Sequence, residues 1–441
     1  MKWILGTIML LLAGLLLKLS LLVYAMYVLL GILLLSRFFT RTWTEKIAVC
    51  RLCTGEKFEI GESIDVTVEV ENRGSLSVPW VILEDSLPHE ALTQTPRRIK
   101  AEGARLDLIR LAPGEVERLN YEVTFLMRGY YQLGPLILET GDVFGLHRRF
   151  RVAGEPHFAV VMPKVLPLQG YNLASRRPQG EIRVVHRLFE DPTRLAGVRP
   201  YQQGDPLNRI HWRATARTGQ IHSRIYETSR VAGATFLLDF HTHSFQGAGG
   251  PTSAELAIVT VASLAHAVFL MGQQIGLISN GRDAADRIRE EGWRGEFITR
   301  ADAQQRASDP PANDRLRPVR VETRKGNEKL GEILETLARL EHTDGLDFAE
   351  MITATSSRIP RDATVVPVMR QVTPQMALAL GGLVQRGFLV TAVVVAFERE
   401  AIPEWAHPPE WAELLLAQGI DFRMVNSEES IMNLCAEAIV R

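Results

Sequence analysis

Cysteine is scarce in this 441-residue chain: Cys50, Cys53 and Cys435 are the whole complement. Three thiols are too few for a disulfide framework, and an odd number agrees with a reducing compartment. Net charge is lacking too. Fifty Lys plus Arg stand against 51 Asp plus Glu, a formal charge of −1, so no general attraction to nucleic acid is expected and any basic patch must be local. The common catalytic strings are also missing: no G-x-x-x-x-G-K-[ST] phosphate loop, no G-x-S-x-G elbow, no H-E-x-x-H pair. These absences leave any nucleotide chemistry to a partner. They point to a non-catalytic protein with no cofactor of its own.

What the chain has in abundance is a hydrophobic start. Trp3 to Leu17 and Leu19 to Ser36 carry no charge and are interrupted only by Lys18. A single helix over 3–36 would span roughly 50 Å against an apolar bilayer core of about 30 Å, with Lys18 in the middle. A hairpin turning near Lys18 to Ser20 solves both problems, so two transmembrane helices are expected within residues 1–40. Arg37, Arg41, Lys46 and Arg51 follow at once and predict a multi-pass inner-membrane protein with its soluble domains in the cytoplasm. A cleaved signal peptide is the competing reading; no small-x-small cleavage site is evident and a second apolar segment follows directly. Cys50-x-x-Cys53 lacks a second Cys or Cys/His pair at metal spacing, so chance spacing is preferred over zinc.

From residue 54 to 160 the pattern is that of strands. Ser63–Glu71 puts Ile64, Val66, Val68 and Val70 on one face, Asn72-Arg-Gly74 supplies a turn, and Pro79–Leu83 and Arg118–Leu126 read as further strands. An all-β, immunoglobulin-like sandwich is predicted, with Trp80, Tyr130 and Tyr131 as core or strand-end aromatics. The C-terminal half, 234–441, alternates differently. Buried strands are expected at Ala234–Asp239, Gln274–Ser279, Thr364–Val368 and Phe388–Phe397, with helices at Ala254–Met271, Lys329–Leu340, Pro374–Gln385, Glu410–Gln418 and Glu428–Val440. That is the signature of an α/β doubly wound parallel sheet, whose ligands bind at the carboxyl ends of strands. Asn280 to Lys325, rich in Arg, Asp and Pro, reads as a long surface loop.

Between these regions lies the segment 161–233. Its string Val198-Arg-Pro-Tyr-Gln-Gln-Gly-Asp205-Pro-Leu-Asn-Arg209-Ile-His211-Trp212-Arg213-Ala-Thr-Ala-Arg217-Thr-Gly219 resembles the signature of the family called domain of unknown function 58. Asn72, Pro79-Trp80 to Asp85, Arg128-Gly-Tyr130 and Thr140 to Leu146 extend the resemblance. It implies a C-terminal part like a von Willebrand factor A domain. It also implies the company of MoxR-type AAA+ ATPases and transglutaminase-like membrane proteins, hence an adaptor role. Independently of that likeness, Arg209, Arg213 and Arg217 fall at i, i+4 and i+8 and would line three guanidinium forks along one helical face. Such a stripe grips carboxylates or phosphates. With His211 and Trp212 these residues form the predicted protein-binding surface. The bland alternative is that Asp205, Glu190 and Glu227 neutralise the arginines, with His211 and Trp212 packed beneath.

Asp239, ending the first α/β strand, raises a metal question. In von Willebrand A domains that hold Mg²⁺, hydroxyl residues occupy the second and fourth positions after such an Asp; here they are His241 and His243. Mg²⁺ requires oxygen ligands, so that site is not expected. Arg370-Gln371, after a later strand, stands where such folds place an acid. If the loop is extended, Asp239, His241 and His243 point the same way and suit a softer ion such as Zn²⁺ or Ni²⁺. This defines the alternative function, a metal-dependent hydrolase.

Overall fold

The computed structural model describes residues 2–142, 145, 147–168, 190–200, 210–228, 233–247, 249–291, 316–361, 363–396 and 410–434. It begins with two apolar helices, α1 (Lys2–Leu16) and α2 (Ser20–Lys46). The chain reverses between them over Leu17–Leu19, with Lys18 in the left-handed region at φ 55°, where the sequence predicts the turn. The two helices approach closely: a Cβ on Gly14 would lie 3.1 Å from the Leu22 side chain. α2 is longer than the apolar run that predicts it. Beyond Ser36 it continues for ten residues, because Thr40 and Thr44 return their hydroxyls to the carbonyls four residues back, at 2.8 and 2.7 Å, and so bury polar side chains at no hydrogen-bond cost.

α2 passes straight into β1 (Ile47–Leu52), which places the start of the β domain at residue 47 rather than 54. Cys50 is therefore an exposed strand residue and Cys53 a half-buried one, both free thiols. The following elements are β2 (Lys57–Phe58), β3 (Ser63–Asn72), β4 (Val78–Asp85), α3 (His89–Thr93), β5 (Ile99–Gly103), β6 (Leu106–Leu111), β7 (Val116–Phe125), β8 (Gly129–Leu133), β9 (Leu136–Gly141), β10 (Arg148–Ala153) and β11 (His157–Val161). Two antiparallel sheets, β1-β3-β7-β5 and β10-β9-β4-β6, share one apolar core, with a small β2-β11-β8 sheet beside them. The alternation in β3 buries Ile64, Val66, Val68 and Val70, and that in β7 buries Leu119, Tyr121, Val123 and Phe125. These are the faces the sequence assigns.

The segment after β11 re-enters the next body at Leu166, whose N–H donates to the Ser263 hydroxyl at 2.9 Å. A hairpin of β12 (Glu190–Pro200) and β13 (His222–Thr228) follows, carrying the short helix α4 (Trp212–Thr218). The α/β body then comprises β14 (Gly233–Leu238), α5 (Gly250–Leu270), β15 (Gln274–Ser279), β16 (Arg282–Asp283), α6 (Ala284–Glu291), β17 (Val319–Arg324), α7 (Asn327–Arg339), β18 (Leu340–Glu341), α8 (Phe348–Thr355), β19 (Ala363–Met369), α9 (Pro374–Gln385), β20 (Thr391–Val395), α10 (Glu410–Ala417), β21 (Asp421–Val425) and α11 (Glu428–Asn433). Six strands form one sheet in the order β17-β15-β14-β19-β20-β21. All pairs are parallel except the edge strand β17. The stretch 280–325, expected as a single loop, thus holds β16, α6 and β17. α5 is long and apolar enough to cross a membrane, but most of it is buried as the core helix of this body.

One side chain ties the two bodies together. Arg128, in the β7–β8 turn and only 5% exposed, reaches into the α/β body. There its Nη1 donates to the carbonyls of Leu337, Ala338 and Leu340 at 2.8, 3.3 and 3.0 Å. These belong to the end of α7, where carbonyls lack intrahelical partners and the helix dipole favours a cation. Arg128 Nε also pairs with Glu255 of α5 at 3.0 Å, and its guanidinium lies 5.5 Å from the centroid of the Phe240 ring. The neighbouring Gly129 leaves room for this turn, since a Cβ there would fall 2.7 Å from the Tyr131 ring.

Candidate functional site

Two places merit a functional reading, and the first is α4. His211 caps its start, Nδ1 accepting the Ala214 N–H at 3.0 Å. Gly219 closes it in the left-handed conformation at φ 71° and returns its N–H to the Thr215 carbonyl at 3.0 Å, the usual role of a glycine after a helix. The Thr215 hydroxyl accepts the His222 N–H at 3.1 Å, and Ile210 is buried in a bridge to Ser223. Trp212, Arg213, Ala216 and Arg217 are all exposed, whereas His211, Ala214 and Thr215 are half-buried. The exposed positions, i, i+1, i+4 and i+5, make one continuous helical face. Trp212 is 67% exposed, so it is not packed beneath the arginines as the bland reading expects. Arg209, Asp205 and the side chains of Glu190 and Glu227 lie outside the described residues.

The second place is the carboxyl edge of the sheet, where the chain leaves β14. Open α/β sheets bind ligands where the strand order reverses, here between β14 and β19. Asp239 is fully buried. Its Oδ1 accepts from Asn280 Nδ2 at 3.0 Å and from the His241 N–H at 3.2 Å, while Oδ2 is buried with no hydrogen-bond partner of normal geometry. Burial raises its pKa above the usual carboxylate range, against the pull of the nearby Ser244 hydroxyl, Asn280 and the His241 N–H. Asn280 is held in turn by donating to the Leu346 carbonyl at 3.1 Å and accepting the Phe240 N–H at 2.7 Å.

The loop after Asp239 is not extended. Thr242–Phe245 forms a 3₁₀ turn capped by His241, whose Nδ1 accepts the His243 N–H at 3.2 Å. Consequently His241 is buried with Nε2 3.7 Å from Asp347, His243 is exposed, and Ser244 rather than His243 lies beside Asp239. The alternation that would align Asp239, His241 and His243 as ligands is absent. Among the described residues no three His, Cys, Asp or Glu side chains form a metal-holding group. Arg370, following β19, donates to the Gln246 carbonyl at 3.1 Å and supplies a cation where a carboxylate ligand would be needed.

Sequence reasoning did not single out Asn280, Thr343, Asp347 or His342, which complete this edge. His342 stacks on Phe240 with ring centroids 4.1 Å apart, and burial of that face lowers its pKa to about 4. A group that takes up a proton near pH 6.5 when unfolded but near 4 when folded favours the folded state above pH 6.5. That contribution is lost as pH falls from 6.5 towards 4. Because His342 is an exposed residue despite its stacked face, the expected loss is discounted to about 1 kcal/mol. Thermal melts from pH 7 to 4 check it: the His342→Phe variant should lose this increment of the acid-induced decline.

Comparison with known proteins now bears on α4 and its surroundings. Residues 197–299 match the family described as "Protein of unknown function DUF58". The matched segment contains the α4 signature and runs through β14, Asp239 and α5. A curated relative, the "Uncharacterized protein YeaD" of Bacillus subtilis, is 25% identical over 225 residues, covering 51% of this chain and 53% of that protein. The chain thus spans about half the length of that relative. Among solved structures, the CARDB domain of a Pyrococcus furiosus protein aligns at 16% identity with a TM-score of 0.17, over 26% of this chain and 94% of that one. The ASH/PapD-like domain of human CEP192 aligns at 13% identity with a TM-score of 0.18, over 26% and 83%.

Proposed function

We propose that this protein is a membrane-anchored adaptor without catalytic activity, which holds a protein partner through the exposed face of α4. The reading takes α1 and α2 as a transmembrane hairpin with both soluble bodies on the cytoplasmic side, the sandwich as an immunoglobulin-like spacer, and the α/β body as von Willebrand factor A-like. The strand order, with one antiparallel edge strand, supports the last of these. The observation that carries the proposal is the Trp212–Arg213–Ala216–Arg217 face: an aromatic and two guanidinium forks presented on a helix whose caps and buried side are already satisfied. Trp and Arg are the residues that most often dominate interface energies, and the forks select an acidic partner. The family resemblance puts a MoxR-type AAA+ ATPase first among candidates, acting in assembly or maturation of other proteins, with a transglutaminase-like membrane protein second. The alternative reading is a metal-dependent hydrolase using Asp239, His241 and His243, which is less favoured because the 3₁₀ turn after Asp239 leaves His241 buried and His243 exposed.

The experiment pairs binding with stability. Arg213→Glu with Arg217→Glu should weaken association of the detergent-purified chain with a purified MoxR-type ATPase more than about a hundredfold, since charge-assisted contacts contribute about 1.5–3 kcal/mol each. The melting temperature should stay nearly constant. Unchanged binding, or a variant that unfolds, removes the proposal.

A further inference from the structure

We propose that the edge of the sandwich where β9 and β10 pack on α2 sits in the phosphate layer of the bilayer and binds anionic phospholipid headgroups; this rests on the transmembrane reading of α1 and α2. The two sides of α2 differ in what covers them. On one side, Leu33, Ser36, Thr40 and Thr44 are buried, α2 packs along β9 and β10, and the Ser36 hydroxyl bonds to His147 Nδ1 at 2.9 Å. On the other side, at the same height, Leu34, Leu35 and Phe38 are 52%, 56% and 61% exposed. The helix thus offers lipid-compatible surface on one side over the very turns where its other side is covered by the sandwich.

Residues 33–38 span about 8 Å along a helix, close to the thickness of one interfacial layer, about 5–8 Å. α1 agrees with this level. Its fifteen residues run back beside α2 from the Leu17–Leu19 reversal, so the Lys2 end of α1 lies level with residue 34. A sandwich edge that reaches Ser36 must then lie among headgroups rather than in free solvent.

The side chains at and just beyond that height suit phosphate. Arg37 projects from the exposed side of α2 and Arg148 opens β10 next after His147, while Arg41 and Arg149 meet Glu45 further along the helix. The acids facing them are Glu45, paired with Arg41 at 2.8 Å and Arg149 at 3.7 Å, and Glu139, paired with Arg148 at 3.3 Å. Asp142 is buried and accepts the His147 N–H at 2.7 Å, so it turns inward. Four guanidinium groups against two carboxylates, the exposed Glu45 and the buried Glu139, leave an excess of positive charge. Arg148 remains 62% exposed despite its ion pair. Guanidinium forks match phosphate oxygens in pairs, and anionic lipid attracts basic groups held near the surface.

The test uses the full chain in nanodiscs of phosphatidylcholine alone or of an equal mixture with phosphatidylglycerol. In the mixture the soluble bodies should melt about 5 °C higher, and amide exchange over residues 139–151 should slow. Arg37→Gln with Arg148→Gln should erase both differences. Equal melting and exchange in the two lipids overturns the proposal. So does an equal rise in phosphatidylcholine discs on adding inorganic phosphate, which would make the site one for the free anion. Alkaline carbonate extraction of cell membranes separates the two layers of argument. Release of the chain defeats the transmembrane reading itself, whereas retention together with lipid-independent melting defeats this inference alone.

Discussion

Arg128→Leu is expected to cost about 3–5 kcal/mol of stability and to uncouple the sandwich from the α/β body. The side chain is nearly wholly buried, so its removal leaves three carbonyls at the end of α7 without their donor and Glu255 without its cation. Each lost partner carries a desolvation penalty of about 1–3 kcal/mol. Lysine is not a substitute, because one ammonium cannot serve α7 and Glu255 from the position of a planar fork. Denaturant unfolding should therefore change from one transition to two in both variants, and limited proteolysis should cut between the bodies. A single transition with an unshifted midpoint would mean that the remaining contacts, such as the Lys57–Glu335 ion pair and the Leu166 insertion, suffice.

Asp85→Ala should be comparably damaging, by about 3–5 kcal/mol, and more so than Arg51→Met. Asp85 lies in the sandwich core, paired with Arg51 and accepting the Tyr121 hydroxyl at 2.6 Å. Removing the carboxylate strands a guanidinium that is 5% exposed and cannot lose its proton. Removing Arg51 instead leaves an acid that burial already pushes upward in pKa, so Asp85 can take a proton and become neutral. The asymmetry is the diagnostic: Arg51→Met should recover stability on mild acidification and Asp85→Ala should not. Chemical denaturation at pH 7 and pH 5 checks both. Gly134 belongs to the same arrangement. It sits at φ 84°, and a Cβ there would collide with the Arg51 guanidinium.

Much of this architecture was readable because its physical signals are local. The period-two alternation of β3 and β7 and the uniform burial of β14, β15 and β19 gave strand faces and positions closely, and Pro374 with Gln385 bounded α9 as found. The misses share a cause. β17, Val319-Arg-Val-Glu-Thr-Arg324, and β21, Asp421-Phe-Arg-Met-Val425, are edge strands. Charged residues suit an edge, and they also imitate a loop. α8 hides behind a polar start, Asp347 with Glu350, which together form a capping box. The extension of α2 was invisible because its buried side is threonine, not leucine.

At the candidate sites the helical spacing of Arg213 and Arg217 was legible, but the exposure of Trp212 was not, since aromatic residues usually signal core. The ligand reading of His241 and His243 assumed an extended strand end, where the chain instead closes a 3₁₀ turn over Thr242–Phe245. Arg128 was visible only as part of a family string. Its role depends on the meeting of two bodies more than two hundred residues apart, and no local pattern carries that.

The seamless passage from α2 into β1, with Lys46 the last helical residue and Ile47 the first of the strand, has a mechanical meaning. Arg151 reinforces it by donating to the carbonyls of Thr44 and Ile47 at 2.7 and 3.0 Å. There is no swivel between shaft and blade. In a bilayer the azimuth and height of the sandwich would be set by the lean and spin of one helix about 40 Å long. A partner confined to the same membrane would meet the sandwich at a fixed elevation, with much of the rotational search already completed before contact.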